Sequence, residues 1–188
     1  MWRKLGICGV VWMLASCGNQ VEKSIKNPTQ IDTYFPISDF INKQIDGLEG
    51  VDLRKDLYVN GDHEQVRQQL TREQWRSELD WFIQADINKA SLATAYDIVD
   101  ENGTTSYRLK PGENSNIEEM TVIYDGDRVD EILVKAFDKN TFYQSETMAK
   151  LSTDPVSGNL STYELETTQK VLLLSPRVLK VKSQVEQP

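Results

Sequence analysis

Two stretches of the chain repeat their apolar residues at helical spacing, and most of the C-terminal half alternates. Ile37, Ile41, Ile45 and Leu48 fall on one face and predict a helix over about 36–48. Pro36 suits the first helical position, where its missing N–H costs nothing, and Gly47 and Gly50 offer a stop. Trp75, Leu79, Phe82, Ile83 and Ile87 form a second stripe and predict a helix over about 72–88. Thr71 followed by Gln74 has the form of a capping box. Trp81 stands well off that stripe. Between the two, Asn60-Gly61 marks a two-residue hairpin turn within 51–70, because both positions tolerate positive φ. Its polar, loosely alternating flanks suit a sheet edge.

From about Ala93 the period becomes that of strands. Asn102-Gly103 and Asp125-Gly126 are turn signals with alternating flanks. Met120, Val122 and Tyr124 share one face, as do Ile132, Val134 and Ala136, while Leu133 and Phe137 point the other way. Further strands are predicted near 142–151, 162–174 and 177–183. Asp154 to Asn159 reads as a loop, and Pro176 separates Leu174 from Val178. The expected fold is α+β: two N-terminal helices packed on a twisted antiparallel meander sheet, as a single globular domain over 34–188.

The first residues obey neither period. Arg3 and Lys4 precede Leu5 to Leu14, which carries no charge, and Leu14-Ala15-Ser16-Cys17 comes next. A basic start, an apolar run of about ten residues and small residues at a cleavage point have the form of a secretory signal. A membrane span needs about 20 apolar residues. Leu14-Ala15-Ser16-Cys17 resembles the lipobox of bacterial lipoproteins. That resemblance implies cleavage between Ser16 and Cys17, a diacylglyceryl group on the Cys17 thiol and acylation, of the palmitate kind, at the new amino terminus. Residues 17–33 then read as the lipidated cysteine and a flexible polar tether. Gly18, rather than Asp, after the cysteine implies the outer membrane in lipoproteins of the enterobacterial type. The expected location is the cell envelope, lipid-anchored in the outer membrane.

Loss of residues 1–16 leaves 172 residues and takes the formal charge from −8 to −10. An acidic chain repels phosphate backbones, so no nucleic-acid partner is expected. It also lacks the overall basicity that draws proteins to anionic lipid, which leaves anchoring to the lipid on Cys17. Cys8 leaves with the signal and Cys17 is consumed by lipid. A disulfide, a cysteine nucleophile and a cysteine-ligated zinc are then all excluded.

Candidate chemistry is sparse. His63, the single histidine, sits on the hairpin and reads as solvated. Asp86 lies near the apolar side of the second helix with Asn88 close by. It is either a carboxylate in a cleft or a side chain tying down the helix end or a neighbouring loop amide. Asp97, Asp100 and Glu101, and Asp125 with Asp127, lack the ligand pattern of a calcium loop and read as polar turns. Trp75, Trp81, Phe82 and Tyr96 either belong to the core or line an apolar pocket, with Trp81 the one oddly placed. No phosphate loop, dinucleotide fingerprint or zincin motif is present. No catalytic residue, metal ligand or cofactor is assigned. Trp81 and Asp86 are the ligand-binding candidates.

The run Trp75-Arg76-Ser77-Glu78-Leu79-Asp80-Trp81-Phe82-Ile83-Gln84-Ala85-Asp86-Ile87-Asn88-Lys89, with Tyr34-Phe35-Pro36-Ile37 and the Asn60-Gly61 hairpin upstream, resembles a group of uncharacterised lipoproteins from the Bacteroidota. That family carries no activity to transfer. Helices against a curved antiparallel sheet are similar in architecture to the carrier and receptor proteins that sort lipoproteins to the outer membrane. The function expected is a non-enzymatic module binding an apolar or amphipathic ligand in the cell envelope. The alternatives are an accessory interaction protein of an envelope complex and, behind both, a carboxylate-dependent hydrolase.

Overall fold

The computed structural model describes residues 31–186. The cleavage site at Ser16-Cys17, the lipidated Cys17 and the tether up to residue 30 lie outside the described residues. Ile31 already belongs to the fold, its N–H donating to the Asn88 carbonyl at 3.2 Å.

The first helix, α1 (Ile37–Ile45), forms where its spacing predicts. Ile37, Ile41 and Ile45 are buried and Leu48 joins them in the core. Each such side chain contributes about 2 kcal/mol by leaving water. The hairpin comes next as β1 (Asp52–Val59) and β2 (Asp62–Gln69). Asn60 and Gly61 have φ of 51° and 100°, the double positive that a two-residue turn requires.

The second predicted helix is shorter and broken. It comprises α2 (Arg72–Glu78) and α3 (Asp80–Gln84), with Leu79 at φ −97° and ψ 8° between them. Thr71 and Gln74 do form a reciprocal capping box. The end comes early because Asp86 offers its carboxylate to the backbone two residues on. Its Oδ1 accepts from the Asn88 N–H at 2.8 Å, an Asx turn that competes with further helix.

Seven further strands follow among the described residues: β3 (Tyr96–Glu101), β4 (Thr104–Leu109), β5 (Ile117–Asp125), β6 (Arg128–Lys139), β7 (Tyr143–Thr153), β8 (Leu160–Val171) and β9 (Arg177–Glu186). All nine strands form one antiparallel sheet in the order β2-β1-β9-β8-β7-β6-β5-β4-β3. The expected fold class is therefore corrected. The described residues are dominated by the sheet, at 53% strand against 15% helix, and are not a pair of N-terminal helices on a meander. Only α1 precedes the strands, and the second helical segment, broken and short, comes after the first hairpin. The physical reason is that the helical spacing over 72–88 continues past the Asx turn at Asp86, where the helical backbone does not.

The sheet has two unlike faces. On the helix-facing side one row of directly opposed residues runs Leu57, Val181, Leu165, Ala149, Val134, Met120 and Tyr107. A neighbouring row runs Lys55, Ser183, Tyr163, Leu151, Ile132 and Val122. The centre of both rows is buried under Trp75, Leu79, Phe82, Ile87 and the isoleucines of α1. The far side carries charges of alternating sign on adjacent strands. Lys180 meets Glu166 at 2.6 Å, Lys182 meets Glu164 at 3.5 Å and Arg108 meets Glu119 at 2.8 Å. Such opposed pairs favour this register of the strands, weakly because water screens them.

Candidate functional site

Asp86 and Trp81 come together at one end of the sheet. Both line a cleft of about 330 Å³ between the α3–η1 segment and the start of β5, where η1 is the 3₁₀ turn Ala90–Leu92. Trp81, Ile83 and Ile117 give it an apolar wall, and Lys89 and Asn116 bring polar groups to it. Trp81 stands in the cleft because it is off the stripe that α3 buries. Its ring meets Phe82 edge-on at 5.4 Å between centroids, and Phe82 is itself buried.

Asp86 has little left to offer a ligand. Its second oxygen, Oδ2, accepts from the Ser38 N–H in the first turn of α1 at 3.4 Å. Of the two roles open to Asp86, the geometry supplies the tie between loop and helix end. Asn88 extends that tie. Its side-chain oxygen accepts from the Tyr34 N–H at 2.9 Å, and its Nδ2 donates to the carbonyls of Tyr34 and Phe35 at 3.1 Å each. The chain entering the fold is thereby fixed beside the cleft. Lys89, Asn116 and Ile117 escape sequence reasoning because the last two reach the cleft only through the sheet register.

The other candidates lie elsewhere. His63 contacts Asp56 Oδ1 at 2.8 Å and stacks on Tyr58 at 4.5 Å, on the exposed hairpin. No serine or threonine hydroxyl bonds to it among the described residues. Trp75 and Tyr96 are core residues. Tyr96 donates its hydroxyl to the Ile117 carbonyl at 2.8 Å, and burial pushes its phenol up. Asp100 accepts from the Thr105 hydroxyl across a hairpin, and Asp125 pairs with Arg128.

One ionised cluster sits on the helix-facing side. Lys55 donates to both Glu78 oxygens at 2.9 and 2.8 Å, and the Tyr163 hydroxyl donates to Glu78 Oε1 at 2.6 Å. Burial above all, and then the Glu78 charge, push the Tyr163 phenol far up. This cluster fastens α2 to β1 and β8 and borders no part of the Trp81 cleft. Among the described residues no three histidine, aspartate or glutamate side chains converge as a metal site would require, and no helix is long and apolar enough to cross a membrane.

No family model matches the chain, and no curated protein or solved structure does either. What the fold and site define is therefore a class: a nine-stranded antiparallel sheet with one helix-covered face and a small mixed cleft at one end.

Proposed function

We propose that this chain is a lipoprotein of a bacterial cell envelope, held to a membrane by lipid on Cys17, that binds a small amphipathic ligand without transforming it. The observation that supports the reading is the Trp81 cleft. Its volume, about 330 Å³, lies at the small end of ligand sites, and it pairs an aromatic wall with an ammonium group. Lys89 has no carboxylate within 4 Å among the described residues, so its charge is available to an anionic head group. Trp81, Ile83 and Ile117 would take the apolar part. Asp86 serves by holding the wall in place. The interior between helices and sheet is a continuous cluster of buried apolar side chains, and the cleft lies at its edge.

The test begins with the protein purified from its own envelope. Its native mass is compared with its denatured mass, and any excess is extracted and identified. The expected result is an excess that Trp81→Ala or Lys89→Ala removes while the fold persists. With residues 1–16 gone, Trp75 and Trp81 are the remaining tryptophans, and only Trp81 reaches the cleft. Ligand added back should therefore change the fluorescence of the parent but not of Trp81→Phe. Equal masses and a silent titration would reject the reading in favour of an accessory interaction protein.

A further inference from the structure

At the end of the sheet where β6 and β8 finish and β7 and β9 begin, two hairpin tips carry apolar side chains into solvent. Leu172, Leu173 and Leu174 are 62%, 95% and 62% exposed, and Phe142 on the neighbouring tip is 69% exposed. The Leu172 N–H donates to the Phe142 carbonyl at 2.8 Å, so the two tips form one platform. Leu173 has a φ of 66°, a left-handed conformation that glycine or asparagine adopts far more readily than leucine. A turn chosen only for its backbone would not place leucine there.

We propose that this platform, Leu172–Leu174 with Phe142, docks into the surface of an anionic lipid bilayer. Three further observations favour a bilayer over a protein. First, Lys139, Lys170 and Arg177 flank the platform, and none has a carboxylate within 4 Å among the described residues. Most lysines and arginines on the charged face of the sheet are paired. A collar of unspent cations around an apolar tip matches anionic head groups over hydrocarbon. Second, the four side chains project from two short turns beside an open groove lined by Asn60, Gly61 and residues 174–178, and by themselves they bury far less than the roughly 800 Å² per partner of a stable dimer. A bilayer demands no complementary shape. Third, the chain enters the fold at this same end. Ile31 is bonded to Asn88, next in the chain to Lys89, which lines the cleft with Asn116 and the first residue of β5. The 13 residues between Cys17 and Ile31 reach at most about 50 Å, so lipid and tip can share one membrane. This third point alone rests on the lipid proposed above for Cys17.

The full chain is tested in vesicles of phosphatidylethanolamine and phosphatidylglycerol. An environment-sensitive nitrobenzoxadiazole label is placed by Leu173→Cys, by Phe142→Cys or, as a reference, by Val156→Cys on the β7–β8 loop at the opposite end of the sheet. The unsubstituted chain serves as the labelling blank. Labels at 173 and 142 should shift to the blue and be quenched by lipids brominated on their acyl chains, while the label at 156 should report water. In a chain without residues 1–17, which keeps every described residue and has only the tip to hold it, Leu173→Asn with Phe142→Ser should lower vesicle binding about tenfold or more. A label at 173 that reports water as the one at 156 does would overturn the proposal. So would a label shielded from water yet untouched by brominated lipid, which would assign the platform to a second copy or an envelope protein. An empty Trp81 cleft would leave these readings unchanged, and the mass at Cys17 reports the lipid separately.

Discussion

Asn88 concentrates more structural consequence than any other polar residue described. Its buried side chain satisfies one backbone N–H and two backbone carbonyls of the entering segment. Truncation would leave those groups without partners away from water, at about 1–3 kcal/mol for each unsatisfied group. Asn88→Ala is therefore expected to cost about 3 kcal/mol in urea unfolding, and Asn88→Asp to fail as a rescue because it cannot donate to both carbonyls. Leu173 predicts the opposite sign. Its left-handed backbone costs about 1 kcal/mol that asparagine would largely recover. Leu173→Asn should raise the unfolding free energy by up to about 1 kcal/mol while weakening contact with lipid. Folding and docking are thereby separable at one position.

At the level of elements, the Lys55–Glu78–Tyr163 cluster ties α2 to β1 and β8 and makes the fold sensitive to alkali. A phenol whose pKa is raised by folding ionises first in the unfolded chain. Its contribution is fully present below about pH 10 and is lost as pH rises beyond it. Tyr96, Tyr107 and Tyr124 share the upward direction through burial, and Tyr163 shows it most. Stability measured by urea should accordingly fall above pH 10, and less steeply in Tyr163→Phe. An unchanged slope in that variant would mean that Tyr163 does not carry the effect. The elements also show where sequence reading succeeds. The isoleucine stripe of α1, the Thr71–Gln74 box and the Asn-Gly turns are local, so spacing and turn chemistry identify them. The second helix is shorter than its stripe because apolar spacing does not reveal that Asp86 will bind its own backbone. Leu172–Leu174 resembles the end of a strand because an apolar run reads alike whether a neighbour covers it or not. Trp81 is visible as an outlier from its stripe, whereas Asn116 reaches the cleft only through pairing that joins distant segments.

Across the whole molecule, net charge and charge placement give different answers. A formal −8 argues against anionic surfaces, yet several acidic groups are paired across the open face of the sheet, and Lys139, Lys170 and Arg177 gather at one end without an ion-pair partner among the described residues. Connectivity adds a second global property. The β1–β2 hairpin does not extend the meander from β3. It joins at the other edge, where β1 pairs with β9 from Asp52↔Glu186 to Val59↔Leu179. A chain ended at Pro176 would lack the strand that lies between β1 and β8. It is expected to lose cooperative unfolding by circular dichroism, whereas loss of residues 187–188 should leave the transition intact.

That pairing sets a timetable. Ribosomes make β1 early and its permanent neighbour last, with more than a hundred residues between them. At about 5–20 residues per second the interval is on the order of ten seconds. Until then β1 has β2 to pair on one edge and no partner for the other. The charged and amide side chains of β2 guard only its own outer rim. Before the last strand arrives the open edge of β1 is a template for pairing with other chains, and it is the order of the strands that exposes it.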